Sequence, residues 1–339
     1  MLILGIESSC DDTAAAVVED GRYVLSSVVS SQDMVHAPYG GVVPELASRR
    51  HIEMIIPVVE EALSKAGVTL KDIGGIAVTQ GPGLVGSILI GLSFAKAVSY
   101  TAGLPFTGVN HIEAHPHAAF LIEGRAEKEV PRFPLVALIV SGGHTTLLHL
   151  TGFTEYRIIG QTLDDAAGEA FDKVAKLLGL GYPGGVAIDR LAKEGNRKSV
   201  EFTRPFMAKG NLDFSFSGVK TAVLNYVKGH GLATGPEAVK DLAASFQESV
   251  VDVLVGKALW ALEATGASDL VVAGGVACNS RLRTRLTEAA RDGGFRLFIP
   301  PPRFCSDNGA MIASLGYHQL KKGAFGTLDM DSKPTWEGF

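Results

Sequence analysis

One succession of elements occurs twice in this chain, and that repetition restricts its fold more than any other feature. Residues 2–32, LILGIESSCDDTAAAVVEDGRYVLSSVVSSQ, read as strand, small polar turn, strand, Asp-Gly turn and strand. Residues 135–168, LVALIVSGGHTTLLHLTGFTEYRIIGQTLDDAAG, read the same way. Downstream of the first stretch, GGIAVTQGPGLVGSILIGLSFAKAVS (74–99) is a strand, a Gly-Pro-Gly loop and a helix. Downstream of the second, SDLVVAGGVACNSRLRTRLTEAA (268–290) is a strand, a Gly-Gly loop and a helix. α/β proteins reuse strand–loop–helix units in general, but four matching pieces in one order point to a duplicated α/β unit. The expected division is 1–116 and 117–339, with extra helices inserted at about 168–265. The junction lies near 116–134, where EGRAEKEVPRFP is charged and Pro-bearing.

A length of 339 residues supports two domains with a large core, and the 40 glycines suit an α/β protein with ligand-binding turns. Helices are expected at 45–66, where Pro57 interrupts the pattern, at 168–178, and at 236–265 with Pro236 in the first turn. The net charge of −5 excludes a global basic field, so nucleic acid would be handled by a local patch or a partner. Lys96 breaks the longest apolar run short of a membrane span, and MLILGIESSC has no signal-peptide layout. Cys10, Cys278 and Cys305 form no CxxC pair, and an odd count fits a reducing, cytoplasmic setting.

Residues with chemistry to offer sit in the loops. In VNHIEAHPHAAF, His111 and His115 are four apart, so one helical turn brings both to a common point. Glu113 falls roughly 200° around that turn from His111, unlike the Glu of an H-E-x-x-H protease. A bare H-x-x-x-H is also satisfied by ordinary core histidines, and a metal needs a third ligand. In FCSDNGAMIA (304–313), Ser306 or Asp307 suits a helix N-cap, and Asp307 equally suits that third position. Two His and one carboxylate are accepted by Fe(II) and by Zn(II). Ser8, Ser9 and Thr13 in one turn, and Ser141, Gly142, Gly143 and Thr145 in its counterpart, are types that hold phosphates. Asp11 and Asp12 add carboxylates that orient a nucleophile or simply cap the turn. Glycines in YPGG (182–185) and GGVACNS (274–280) let backbone approach a flat ligand. Asp172, Asp189 and Asn279 then suit ribose or adenine. Arg49 and Arg50, and Arg281, Arg283 and Arg285, suit a phosphate backbone or a solvated face.

GIESSCDDT, NHIEAH, VSGGHT, GEAFDKVAKLLGLGYPGG, GGVACNS and CSDNGAM together resemble the TsaD family, also called YgjD or Gcp. These are the tRNA N6-adenosine threonylcarbamoyltransferases, and the resemblance runs over about residues 3 to 320. It implies the duplicated actin-like fold shared with Hsp70 and sugar kinases, with two lobes around a nucleotide cleft. It implies transfer of threonylcarbamoyl from threonylcarbamoyl-AMP to N6 of adenosine 37 in tRNAs reading codons that begin with A. His111, His115 and Asp307 match the family's metal ligands, usually iron. Ile139, Val140, Ser141, Gly142, Gly143, Asp172, Gly185, Asp189 and Asn279 match its substrate-nucleotide positions. Asp11 is the expected base. Asp12 stands where many relatives have Glu, and Ile139 where archaeal and eukaryotic relatives have Tyr, which points to the bacterial branch. The partners implied are tRNA, a paralogue resembling the N-terminal half, and a small P-loop ATPase. A small-molecule kinase of the same fold and a metallopeptidase are the competing readings.

Overall fold

The computed structural model describes residues 1–124, 128–205, 208–230 and 235–336. The charged junction at 123–134 therefore lies partly outside the described residues.

The chain forms two compact units. In the first, β1 (Leu2–Glu7), β2 (Asp12–Glu19) and β3 (Tyr23–Ser31) make an antiparallel meander. There follow α1 (Asp33–His36), α2 (Pro44–Ala66), β4 (Ile73–Gly81), α3 (Val85–Ala102), β5 (Phe106–Asn110), α4 (His111–Ala114) and β6 (Ile122–Glu123). The sheet order is β5-β4-β1-β2-β3-β6, with β4 parallel to β1 and β5 parallel to β4.

In the second unit, β7 (Leu135–Val140), β8 (Thr145–Gly152) and β9 (Glu155–Gln161) precede α5 (Ala167–Leu177), α6 (Gly184–Ala192), α7 (Ser217–His230) and α8 (Pro236–Thr265). Then come β10 (Asp269–Ala273), α9 (Ser280–Gly293) and β11 (Arg296–Phe298). The order β11-β10-β7-β8-β9 reproduces, element for element, the order β5-β4-β1-β2-β3 of the first sheet. The expected internal duplication is thus present as two sheets of one topology.

The tail departs from the expected division. After α10 (Pro302–Cys305), α11 (Gly309–Lys321) packs on β1, β2 and β4, so residues 303–339 belong to the first unit rather than to the second half. The physical reason is the two-sided burial of β1 and β2. Leu4, Ile6, Ala15 and Val17 face α2 and α3 through Ile55, Val59, Leu92 and Ala95. Ile3, Ala16 and Val18 point the other way, where Met311, Ile312 and Leu315 of α11 cover them. Burying each large apolar side chain of this kind contributes about 1.5–3 kcal/mol, and on that face α11 supplies the large ones, with Ala114 of α4 beside them.

Two local readings are also corrected. α2 runs unbroken through Pro57, because that residue lies on the solvent side, where the carbonyl it leaves unpaired meets water. α3 spans 18 residues with mean hydropathy 1.3, so Lys96 does not shorten it; it lays Ile88, Leu92 and Ala95 into the protein.

Candidate active site

The candidate ion site is built where two chain segments of the first unit end against each other. β5 stops at Asn110, whose side chain accepts hydrogen bonds from the N–H groups of Ile112 (2.8 Å) and Glu113 (3.1 Å). That cap turns the chain into the single turn of α4, and Pro116 then favours a 3-10 segment, His115–Phe120. His111 and His115 emerge on one side, their ring centroids 4.8 Å apart and nearly perpendicular. Both are buried.

Asp307 reaches them from the turn before α11. The N-cap there is neither Ser306 nor Asp307: Asn308 accepts from the Met311 N–H at 2.9 Å. Its position follows from two glycines. A Cβ on Gly5 would stand 2.1 Å from the Gly309 carbonyl oxygen, and one on Gly309 would stand 2.7 Å from the backbone of Ala15 and Ala16. Only backbone on backbone lets α11 start this close to the β1–β2 turn.

Asp307 Oδ1 lies 3.4 Å from His111 Nε2 and 3.6 Å from His115 Nε2. The three ligand atoms sit within 4.8 Å of one another. Bonds of roughly 2.0–2.2 Å to nitrogen and oxygen in tetrahedral geometry require ligand separations of about 3.4 Å. The set therefore fits a divalent ion, with positions left over for an oxygen of a substrate.

Glu7, which motif reading passed over, is the other half of this site. Its carboxylate is fully buried at the end of β1. Oε1 accepts from the Ser9 N–H at 2.5 Å, and Oε2 accepts from the Thr79 hydroxyl at 2.7 Å and from His111 Nδ1–H at 2.8 Å. A carboxylate on Nδ1 sets the tautomer that leaves Nε2 as a lone-pair donor, and orients the ring. Burial pushes the Glu7 carboxyl up, but the His111 charge and hydrogen bond outweigh it and leave it below the ordinary range. Burial likewise opposes protonation of His111, and Glu7 and Asp307 reverse that and hold it well above the usual imidazole range without an ion. The signal available in the sequence was a charged residue at an inward strand position, since Ile6 and Glu7 flank the sheet end.

The hydroxyls of the first turn have partners within the first unit, and that of Ser9 lies against the His111 ring. Ser8 Oγ donates to the Ser87 carbonyl (3.0 Å), Ser9 Oγ sits 3.2 Å from His111 Nδ1, and Thr13 Oγ1 sits 2.7 Å from His51 Nδ1. Asp11 and Asp12 are half-buried beside them. Burial raises the Asp11 carboxyl above its usual range, with Asp307 adding repulsion. Asp12 is pushed up to about 8 by burial, then by Asp307 and Asp11.

The second unit holds a cavity of about 420 Å³ lined by Gly142, Asp172, Gly185, Asp189 and Asn279, together with Phe171, Val186, Gly275 and Cys278. Five predicted nucleotide positions are thus gathered in one place. Their polar atoms are partly committed. Asp172 Oδ1 accepts from Gly184 N–H, Asp189 Oδ1 from Ser280, and Asn279 caps α9 while its amide donates to Gln247. Ile139 and Val140 do not line the cavity: both side chains are buried in β7. Ser141 and Gly143 belong to the turn beyond but not to the lining; the Ser141 N–H donates to the His144 carbonyl.

Fold and site define the class: a duplicated actin-like α/β protein with a His-His-Asp set that could hold a metal ion and a glycine-lined pocket of ligand size. Residues 23–314 match the family model described as "TsaD: tRNA N6-adenosine threonylcarbamoyltransferase". A relative of that name from Geotalea uraniireducens (strain Rf4) is 56% identical over 336 residues, covering 99% of this chain and 96% of its own. Another, from Syntrophus aciditrophicus (strain SB), is 55% identical and covers 99% of this chain and 97% of its own. Among solved structures, T. kodakarensis HypF superposes with a TM-score of 0.64 at 14% identity, over 95% of this chain and 48% of that one, a likeness of fold alone. The chain belongs to the TsaD family of tRNA N6-adenosine threonylcarbamoyltransferases.

Proposed function

We propose that this chain transfers the threonylcarbamoyl group of threonylcarbamoyl-AMP to N6 of adenosine 37 in tRNAs reading codons that begin with A, an acyltransferase reaction. The observation that carries the reading is the His111, His115 and Asp307 set, at ion-binding separations, in a member of this transferase family.

The donor is a mixed carbamoyl–phosphate anhydride and the acceptor a weakly nucleophilic exocyclic amine. His111, His115 and Asp307 would hold a divalent ion, Fe(II) by our reading and Zn(II) as the other ion this set accepts. When bound, it supplies Lewis-acid polarisation of an oxygen. The chain's own groups do the rest. Glu7 and Ser9 hold the His111 ring in place. In the reaction, N6 attacks the carbamoyl carbon, the bond to the phosphate oxygen breaks and AMP departs. The N6 proton passes to Asp11, whose raised affinity for protons suits a base. The adenylate is assigned to the cavity of the second unit, where Gly142, Gly185 and Gly275 permit close approach and Asp172, Asp189 and Asn279 supply polar edges. Ile139, Val140, Ser141 and Gly143 support that site through the strand and turn that carry Gly142.

We take the setting to be the cytoplasm, consistent with three free thiols. The acidic net charge of −5 fits a system in which a paralogue of the N-terminal half and a small P-loop ATPase assist with tRNA. The kinase reading gives the His-His-Asp set no task, and the peptidase reading needs Glu113, which is outside that set.

Mass spectrometry of tRNA nucleosides from cells depleted of this protein tests the reading. Threonylcarbamoyladenosine should fall and return with the unaltered chain but not with His111→Ala. Unchanged levels after depletion would refute it.

A further inference from the structure

A second cavity in the same unit, of about 720 Å³, has a different chemistry. Its lining includes Arg197, Lys198, Arg204, Arg281 and Arg285 against Glu201, Glu248 and Asp252, two positive charges in excess on a chain whose net charge is −5. Three of these arginines are locked in place. Arg281 grips Glu248 with two parallel hydrogen bonds of 2.6 and 2.7 Å. Arg285 bridges Glu248 (2.9 Å) and Asp252 (2.7 Å), and Arg204 Nε donates to Asp252 at 2.9 Å. Such a lattice fixes guanidinium planes without rotamer entropy left to lose on binding.

Arg197 and Lys198 differ. Both are exposed, and among the described residues neither makes a salt bridge, although the Arg197 charge is close enough to Glu248 to be felt by it. The loop that carries them is nevertheless tied down. Asn196 N–H donates to Asp241 at 2.6 Å, and Lys198 N–H donates to Asn196 Oδ1 at 3.0 Å. Two exposed cations on a held loop, beside a lattice of fixed guanidinium groups, suit an extended polyanion. Among the described residues no aromatic side chain lines the cavity, and its lining is dominated by charged groups that suit phosphates rather than base edges.

The cavity also shares a wall with the glycine-lined pocket. Asn279 lines that pocket and donates to Gln247 on α8; Arg281, two residues on, lines the basic cavity and pairs with Glu248, the neighbour of Gln247.

We propose that this basic cavity docks the phosphodiester backbone of RNA, with Arg197 and Lys198 as the contacting cations and the Arg281–Glu248–Arg285–Asp252–Arg204 lattice as their support. The proposal rests on the reading that the chain acts on tRNA, and names the surface that grips it.

The test is fluorescence anisotropy of the full chain with unmodified tRNA across a potassium chloride series, comparing the unaltered protein with Arg197→Ala/Lys198→Ala. Each lost phosphate contact lowers the slope of log K against log salt by about 1. The double variant should therefore lose about 2 in slope and roughly tenfold in affinity at low salt. Its affinity for AMP should be unchanged, and the charge-conserving Arg197→Lys/Lys198→Arg pair should restore tRNA binding. The proposal is overturned by an unchanged slope and affinity, by a parallel loss of AMP binding, or by absence of tRNA binding to the unaltered chain at low salt. Transfer by the unaltered protein with its helper subunits is scored separately. If transfer fails, the proposed function fails; if it proceeds while the slope is unmoved, only the docking site does.

Discussion

Replacing Glu7 by Gln changes no volume and removes one charge from the base of the ion site. Three donors converge on this carboxylate: the Ser9 N–H, the Thr79 hydroxyl and His111 Nδ1–H. A glutamine has one acceptor oxygen and an NH₂ that only donates. The Thr79 hydroxyl can rotate away, but the backbone N–H of Ser9 cannot. If the amide oxygen keeps Ser9, the NH₂ faces His111, whose Nδ1 must then accept. That tautomer carries its proton on Nε2, the atom 3.4 Å from Asp307, and an N–H is not a ligand. If instead the oxygen keeps His111, Ser9 loses a buried acceptor at a cost of about 1–3 kcal/mol. Loss of a carboxylate behind a ligating His reduces metal affinity about 10–100-fold, equivalent to roughly 1.4–2.7 kcal/mol. Glu7→Gln should therefore bind Zn(II) or Fe(II) about 10–100-fold more weakly in a chelator-competition titration, while circular dichroism shows a folded chain. An affinity within about threefold of the unaltered protein would refute the claim that Glu7 sets the His111 tautomer.

Gly309→Ala places a methyl 2.7 Å from the Ala15 and Ala16 backbone; it should cost about 1–3 kcal/mol in urea unfolding and weaken ion binding by displacing Asp307. A loss of stability without any loss of ion affinity would show that α11 can shift while Asp307 stays. Asp12 keeps its proton up to about pH 8 in the ion-free fold but ionises near 3.8 when unfolded, so its contribution to stability is lost as pH rises through that window. Asp12→Asn should accordingly raise the stability of the ion-free protein at pH 8 by a few kcal/mol and leave it nearly unchanged at pH 4, as read from denaturant midpoints. His117, pushed down to about 3 by burial and then by His318, and His318, pushed down to about 4 by burial and then by Lys322, are neutral in the fold. Their contribution is present above the unfolded value of 6.5 and is lost on acidification below it, at up to about 1.4 kcal/mol per pH unit for the buried His117. Between pH 7 and pH 5 the denaturant midpoint of His318→Gln should rise relative to that of the unaltered protein; parallel profiles would contradict the assignment.

Much of this protein follows from local pattern. Alternating apolar strands, a small-residue turn and a downstream strand–Gly-loop–helix, all occurring twice, determine two sheets of one topology, because period-two burial and turn chemistry are properties of neighbouring residues. The same local logic places His111 and His115 on one turn, since Asn110 caps it and Pro116 tightens it. Tertiary structure decided what no window of sequence contains. The tail 303–339 returns to the first unit because β1 and β2 bury both faces and need α11. Glu7 becomes a partner of His111 across 104 positions only when β1 and β5 flank β4. Asp307 meets the imidazoles because Gly5 and Gly309 let a helix and a strand touch backbone to backbone. Periodicity says which way a side chain points, whereas the distance between two segments far apart in the chain is set by what is packed between them, and here that is nothing larger than hydrogen.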